Sequence, residues 1–310
     1  MIAFDVGESF ERRFGVVSPD LVGSLVDGRY RVERRVGAGG SGTVYAAEHI
    51  TLGARVALKV LHESAEADTD ATWRAARVER FLGEARILQR LRHPHIVTVL
   101  GAGFIPHGTE QTPYIALAWC DGTTLAEILA ASRGGPPRDP AEAWRLLAPV
   151  VDAVAHAHAQ GVTHCDLTPS NVMVEEIDGA RVPRVIDFGI AEIGRADAVP
   201  GAQDVRGGRR AFTRDYAAPE QIAGRATSAA TDVHAIGLIL LELLSNRRPY
   251  GEDDAGLAAI DPARPSPRRR GLAPGPFDAV LERALALDPA ARFPDAVSYT
   301  HLTLPTSDLV

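Results

Sequence analysis

Apolar positions follow two rhythms along this chain. From Arg29 to about Leu61 they come in short β-prone runs (Tyr30, Val32, Val36, Val44, Tyr45, Val56, Leu58, Val60) split by Gly-rich turns, a pattern that predicts paired strands. Over residues 73–92 the period changes, and Phe81, Leu82, Ala85, Leu88 and Leu91 fall close to one helical stripe. The acidic stretch HESAEADTDAT at 62–72 predicts a surface loop. Short strands are expected near residues 96–100 and 114–118. A hairpin is expected to start at 172–174, turn near Asp178-Gly179 and return through 184–186. The remainder predicts mostly helix, with loops at 132–140 and 251–276. The second of these, with its PARPSPRRRGLAPGP run, is expected to be an exposed connection. A β-rich first third followed by a helix-rich remainder suggests two lobes with a cleft between them.

Composition narrows the classes. The 310 residues are 45% hydrophobic and 24% charged, which fits a soluble globular protein and argues against global disorder. A net charge of -7 offers no basic footprint for nucleic acid. Two cysteines, Cys120 and Cys165, cannot build a disulfide framework. The longest apolar run, 235–244, is broken by Glu242 and is too short to span a bilayer. The N-terminus carries acids and arginines where a signal peptide needs an apolar core. The expectation is a cytoplasmic chain with no nucleic-acid partner and no membrane span. Residues 1–27 carry little pattern and read as a leader. From residue 298 the segment SYTHLTLPTSDLV breaks with the preceding texture and resembles translated adaptor sequence, so 298–310 is expected to be a non-native tail.

The segment Gly37-Ala38-Gly39-Gly40-Ser41-Gly42 fits G-x-G-x-x-G. A dinucleotide-binding turn needs a helix after the glycines, whereas Thr43-Val44-Tyr45-Ala46-Ala47 reads as a strand. The glycines therefore sit in a hairpin, whose backbone can lie close over phosphates without Cβ clashes. Lys59 ends the strand Val56-Ala57-Leu58-Lys59, and Glu84 follows within FLGEARILQRL. A solvent-facing lysine and a solvated helix face are the plain alternatives. A Lys–Glu pair would hold the lysine extended toward nucleotide phosphates. In His164-Cys165-Asp166-Leu167-Thr168-Pro169-Ser170-Asn171, Pro169 breaks any helix and leaves Asp166 and Asn171 on a loop. Asp166 can accept a hydroxyl proton, and the Asn171 oxygen can ligate Mg2+. Asp187-Phe188-Gly189 follows an apolar strand, and its carboxylate is a hard ligand suited to Mg2+.

Taken in order, GAGGSG, VALK, Glu84, HCDLTPSN, DFG and Ala218-Pro219-Glu220 resemble the protein-kinase superfamily, specifically the bacterial eukaryotic-like Ser/Thr protein kinases, over about residues 28–296. The resemblance implies an α+β bilobal fold. A small antiparallel-sheet N-lobe with one main helix would occupy 28–118, and a larger helical C-lobe 119–297. It implies ATP as phosphoryl donor, Mg2+ with Mn2+ as a substitute, and protein substrates bearing Ser or Thr. Asp166, Lys59, Glu84, Asn171 and Thr213 would take catalytic positions, and Asn171 and Asp187 would hold metal. Gly37, Gly39, Gly42, Val44, Ala57, Lys59, Leu117, Ala118, Cys120 and Met173 would surround the nucleotide. Leu117 would be the gatekeeper, Ala118 and Cys120 would offer backbone hydrogen bonds to adenine, and Val44, Ala57 and Met173 would sandwich its ring. Val99, Leu88, Phe188 and His164 would stack as a spine. Asp232 matches the aspartate of a long buried helix, and Arg292 the arginine that pairs with Glu220.

Two departures stand out. The family usually has Arg where Cys165 stands, to receive a phosphate placed on the activation loop, and residues 188–212 contain no Ser, Thr or Tyr. Acceptor and receiver are absent together, so activation-loop phosphorylation is not expected to be the switch. Thr168 replaces a lysine that stabilises charge on the transferred phosphoryl, and reduced turnover is expected. A pseudokinase scaffold is the competing reading. A small-molecule phosphotransferase is disfavoured by the glycine hairpin and Ala218-Pro219-Glu220. Relatives often continue into a membrane span, so the parent protein's anchoring is left open.

Overall fold

The computed structural model describes residues 20–39, 42–61, 71–107, 110–188, 214–251, 260–261 and 264–300. They form two compact units: 20–92 with 97–119, and 93–96 with 120–188 and most of 214–300.

The first unit is an antiparallel sheet of six strands: β1 Leu25–Val26, β2 Tyr30–Gly39, β3 Gly42–His49, β4 Ala54–Leu61, β5 Val99–His107 and β6 Glu110–Ala118, in the order β1-β2-β3-β4-β6-β5. A single long helix, α1 Ala71–Arg90, packs on β5, with the Phe81 and Phe104 rings edge to face at 5.6 Å. Side chains alternate across the pleat. Val56, Leu58 and Val60 join Tyr30, Val32, Tyr45, Ala47, Tyr114 and Ala116 in one buried cluster, which leaves Ala57 and Lys59 on the opposite face. Strand β5 begins later and runs further than the expected 96–100. Gly101, Gly103 and Pro106 disguise it, because glycine and proline read as turn signals. Gly103 has a packing reason: a Cβ there would stand 2.8 Å from Cε1 of Tyr114, whose hydroxyl donates to Asp27 (3.0 Å). The predicted loop at 62–70 lies outside the described residues, and 71–72 already belong to α1.

The second unit carries a three-stranded sheet, β7 Gly122–Thr124, β8 Val172–Ile177 and β9 Ala180–Val185. Asp178 (φ 52°) and Gly179 (φ 77°) join β8 to β9, both left-handed, as a two-residue hairpin turn requires. Helices α2 Leu125–Ser132, α3 Pro140–Ala159, α4 Pro219–Ile222, α5 Ala229–Ser245, α6 Asp278–Ala284 and α7 Ala296–Thr300 complete it. Thr124 starts α2 with a capping box shared with Glu127. Asp139 caps α3, with Pro140 at the first position, where its missing N–H costs nothing. Helix α5 is buried on every side from Ala230 to Ser245, which makes it the axis of this unit. The expected exposed connection at 251–276 is corrected in part: Pro265 and Pro267 are buried, and Arg264 donates to the Leu285 carbonyl (2.8 Å). Proline rings pack as well as they punctuate. Among the described residues no helix is long and apolar enough to cross a membrane.

Candidate active site

In the first unit, strand register brings several predicted residues to one face. Directly opposed residues of an antiparallel pair project to the same side. Gly37 opposes Val44, and Val44 opposes Lys59. Ala57 opposes both Ala46 and Leu117. Gly37, Val44, Ala57, Lys59 and Leu117 therefore share the face turned away from the Tyr45–Leu58 cluster. Lys59 is only 4% exposed, which excludes the solvent-facing alternative for it. Gly39 and Gly42 close the β2–β3 pairing, so a strand and not a helix follows the glycines. Residues 40–41 lie outside the described part. Ala118 ends β6, and its N–H donates to the Thr98 carbonyl (2.9 Å), so any contact from Ala118 to a base runs through its own carbonyl. Glu84 lies in α1, and its side chain is outside the described part, as is all of Thr213. Their expected roles rest on the sequence alone.

The second unit assembles the loop chemistry. Asp166 stands on an irregular segment before the 3-10 turn Pro169–Asn171. The Asn171 side-chain amide donates to the Asp166 carbonyl (2.8 Å), which leaves its Oδ1 as a hard oxygen donor. The Asn171 carbonyl accepts from Ile186 N–H (2.8 Å), tying the loop to the segment that delivers Asp187. Asp187 itself sits at φ 60°, uncommon for a residue with a Cβ and typical of functional turns. Met173 lies on β8 opposite Thr124. Cys120 precedes β7 and is half-buried, and burial, with Glu175 adding to it, pushes its thiol up to about 11.

The backbone of the Asp166 loop is held by buried side chains. Asp232, 1% exposed, accepts from the N–H of His164 and of Cys165, each at 2.7 Å. The His164 Nδ1 accepts from Asp166 N–H (3.3 Å), and its Nε2 faces the Ile186 carbonyl (3.3 Å). Burial lowers the pKa of His164, which keeps the neutral ring that this donor–acceptor pattern needs. The ring lies against Phe188 with centroids 4.8 Å apart, the half of the expected spine that belongs to this unit; Leu88 and Val99 belong to the first unit. Glu220 and Arg292 form a two-pronged pair at 2.8 Å on both oxygens. Gln221 escaped sequence reasoning. Its amide donates to the Cys165 carbonyl (2.6 Å) and accepts from Ala218 N–H (2.9 Å).

The donor set fits a divalent cation held jointly with a phosphorylated substrate. Asn171 Oδ1 and the Asp187 carboxylate are hard oxygens, and among the described residues no group of three or more His, Cys, Asp or Glu is arranged to hold a metal.

Comparison with known proteins agrees with this chemistry. Residues 30–293 match a family model described as protein kinase domain. Serine/threonine-protein kinase Pkn1 of Myxococcus xanthus is 34% identical over 279 residues, covering 88% of this chain and 37% of that protein. PrkC of Bacillus subtilis is 30% identical over 280 residues, covering 89% and 40%. The chain thus spans less than half the length of these two relatives. The crystal structure of the Mycobacterium tuberculosis PknI kinase domain superposes with a TM-score of 0.66 at 26% identity, covering 93% of this chain and 98% of that one.

Proposed function

The chain belongs to the protein kinase domain family, and from that premise we propose that it is an ATP-dependent Ser/Thr protein kinase. The observation that carries the reading is the Asp166–Asn171 arrangement, in which the Asn171 amide donates to the Asp166 carbonyl (2.8 Å) and holds the two residues on one loop. Asp166 accepts the proton of a Ser or Thr hydroxyl. The hydroxyl oxygen bonds to the γ-phosphorus, the bond to the β-phosphate oxygen breaks, and ADP leaves with that electron pair. Lys59 contacts the α and β phosphates, and the glycines of β2 and β3 allow close backbone approach. Gly37, Gly39, Gly42, Val44, Ala57, Leu117, Ala118, Cys120 and Met173 serve nucleotide binding. Glu84 orients Lys59, and Thr213 supports the catalytic loop. Asn171 and Asp187 would hold Mg2+, or Mn2+ in its place, which supplies positive charge against the phosphates.

The reading includes control without an activation-loop phosphate. Residues 188–212 lack any hydroxyl acceptor, and Cys165 cannot make a charge-assisted bond to phosphate. It also places the domain in the cytoplasm, where ATP is available; neither Cys120 nor Cys165 is in a disulfide. The test is phosphoryl transfer from ATP to a generic protein substrate across a Mg2+ titration, for wild type and Asp166→Asn. Transfer by wild type that collapses by about 10²-fold or more in the variant supports the assignment. Equal residual turnover in both makes the chain a nucleotide-binding scaffold. Phosphopeptide mapping after autophosphorylation tests the control, and an activity-determining phosphate within 188–213 overturns it.

A further inference from the structure

We propose that Gln221 is a positioning residue for Asp166, its side-chain amide tying the backbone of Ala218 to the peptide that carries the catalytic aspartate. The inference rests on the kinase reading for its effect on turnover, and on geometry alone for the tie itself.

The orientation of the Gln221 amide is decided by its partners. A backbone N–H only donates, so Oε1 must face Ala218 N–H (2.9 Å). A carbonyl only accepts, so Nε2 must face Cys165 O (2.6 Å). Both ends of a side chain that is 7% exposed are thereby satisfied. The first bond is an ordinary helix-start contact, since Gln221 is the third residue of α4 and closes on the residue before it. The second bond is not needed for that purpose. It crosses 56 positions of sequence to reach the residue immediately before Asp166.

That residue needs holding. Cys165 has φ 60°, the left-handed region that residues with a Cβ leave unless something retains them. Its N–H is retained by Asp232 Oδ1 (2.7 Å) and its carbonyl by Gln221. The Cys165 carbonyl belongs to the same rigid peptide plane as the Asp166 N–H, so gripping it sets the direction in which Asp166 leaves the chain. No phosphate contact at Cys165 is expected to order this loop, and the Gln221 tie supplies a fixed restraint from the neighbouring 217–221 segment. Gln221, Cys165, Asp166 and Ala217 line one small recess.

Gln221→Glu separates the two bonds. A glutamate keeps the acceptor for Ala218 N–H, because glutamate and glutamine serve equally in a capping box, but its ionised carboxylate opposes the Cys165 carbonyl. The measurements are steady-state transfer to a generic protein substrate, with KM for ATP and kcat read separately, and amide hydrogen exchange of peptides covering 163–170. The expected result is a kcat lower by about tenfold or more, an ATP KM within about twofold, and faster exchange confined to the catalytic loop. The kcat defect should shrink as pH falls, since a protonated carboxyl regains a donor for Cys165 O. Gln221→Met, neutral and of similar length, removes both bonds, so the same kcat loss without pH recovery is expected, with faster exchange at 163–170 and at the start of α4, and it serves if the buried carboxylate prevents folding. Wild-type kcat and wild-type exchange in either folded variant overturn the proposal. If wild type transfers no phosphoryl group, the kinase reading fails, and exchange at 163–170 still decides whether the tie exists.

Discussion

Asp232 accepts the backbone N–H of Cys165 at 2.7 Å from a position 67 residues further along the chain. The same carboxylate takes His164 N–H and the Nε2 of His158, both at 2.7 Å. His158 Nδ1 accepts from Ala296 N–H (3.0 Å), so its proton resides on Nε2 and points at Asp232. Three donors thus converge on two oxygens. Asp232→Asn offers one oxygen and turns an NH2 group against N–H donors. Leaving even one or two buried donors unmet costs about 1–3 kcal/mol each. We expect a loss of about 3 kcal/mol in urea unfolding and at least about tenfold slower transfer. Unfolding within the error of wild type would show that the carboxylate is not what holds this loop.

Arg292 uses all its guanidinium N–H groups. It bonds both Glu220 oxygens at 2.8 Å and the carbonyls of Ala230, Ala286 and Leu287 at 2.7–3.1 Å. A lysine cannot reproduce that fork, so Arg292→Lys should cost about 3–5 kcal/mol, as breaking a buried pair does. Burial pushes Glu220 upward, but the Arg292 hydrogen bonds and charge, aided by Thr231, outweigh it and hold its carboxyl below the ordinary 4.5. With the folded value depressed, the contribution is complete above the unfolded value and is lost as pH falls through the folded one. Denaturant midpoints taken downward from about pH 5 should drop more steeply for wild type than for Glu220→Gln combined with Arg292→Met. Parallel acid profiles would contradict this.

A second pH response comes from His93. Its Nδ1 accepts from His95 N–H (3.2 Å), and its Nε2 donates to Asp152 (3.1 Å). The His156 and His95 rings stand 5.0 and 5.7 Å away. His95 meanwhile donates from Nδ1 to the Pro183 carbonyl (2.8 Å). Protonating His93 puts a proton on Nδ1 against the His95 N–H. Burial lowers its pKa first, the His156 and His95 rings add to that, and Asp152 opposes them; the net value lies below 6.5. Stability from the neutral ring is therefore complete above 6.5 and fades as pH falls below it. His93→Asn keeps an acceptor near Nδ1 and removes the titration. Its Tm should fall less than that of wild type between about pH 7 and pH 5.5. Equal slopes would show that His93 does not titrate in this range.

The legible parts of the fold and site were those with local chemical causes. Alternation at Val56, Ala57, Leu58, Lys59 and Val60 predicts which face Lys59 takes, because the pleat has a period of two. Pro169 forces Asp166 and Asn171 onto a loop, and Asp178-Gly179 is a turn by its residue types. The Glu220–Arg292 pair was readable only through the family resemblance, since no periodicity links positions 72 residues apart. Strand β5 was obscured because Gly101 and Gly103 serve packing rather than turning. Gln221 was invisible for a different reason: a glutamine in a four-residue helix carries neither charge nor rhythm, and its second partner, Cys165, is brought near only by tertiary packing.

Thr168 offers the last test, one of gain rather than loss. It is 2% exposed and lines the recess that also contains Asp166, Tyr216 and Gln221, which is partly open to solvent. Its backbone is extended (φ -141°, ψ 162°), so a longer side chain meets no conformational barrier there. In Thr168→Lys the apolar stem can follow the recess while the ammonium reaches solvent beside Asp166, as buried-stem lysines do. A cation at that place would oppose the charge that develops on the transferred phosphoryl group. Supplying one such contact is worth about 2–4 kcal/mol of transition-state stabilisation, or roughly 30- to 1000-fold in rate. We expect kcat to rise by at least about tenfold, with ATP KM little changed because the contact strengthens only as the phosphoryl group moves. A folded variant with unchanged kcat would mean that another group already meets this charge, and that Thr168 does not limit turnover.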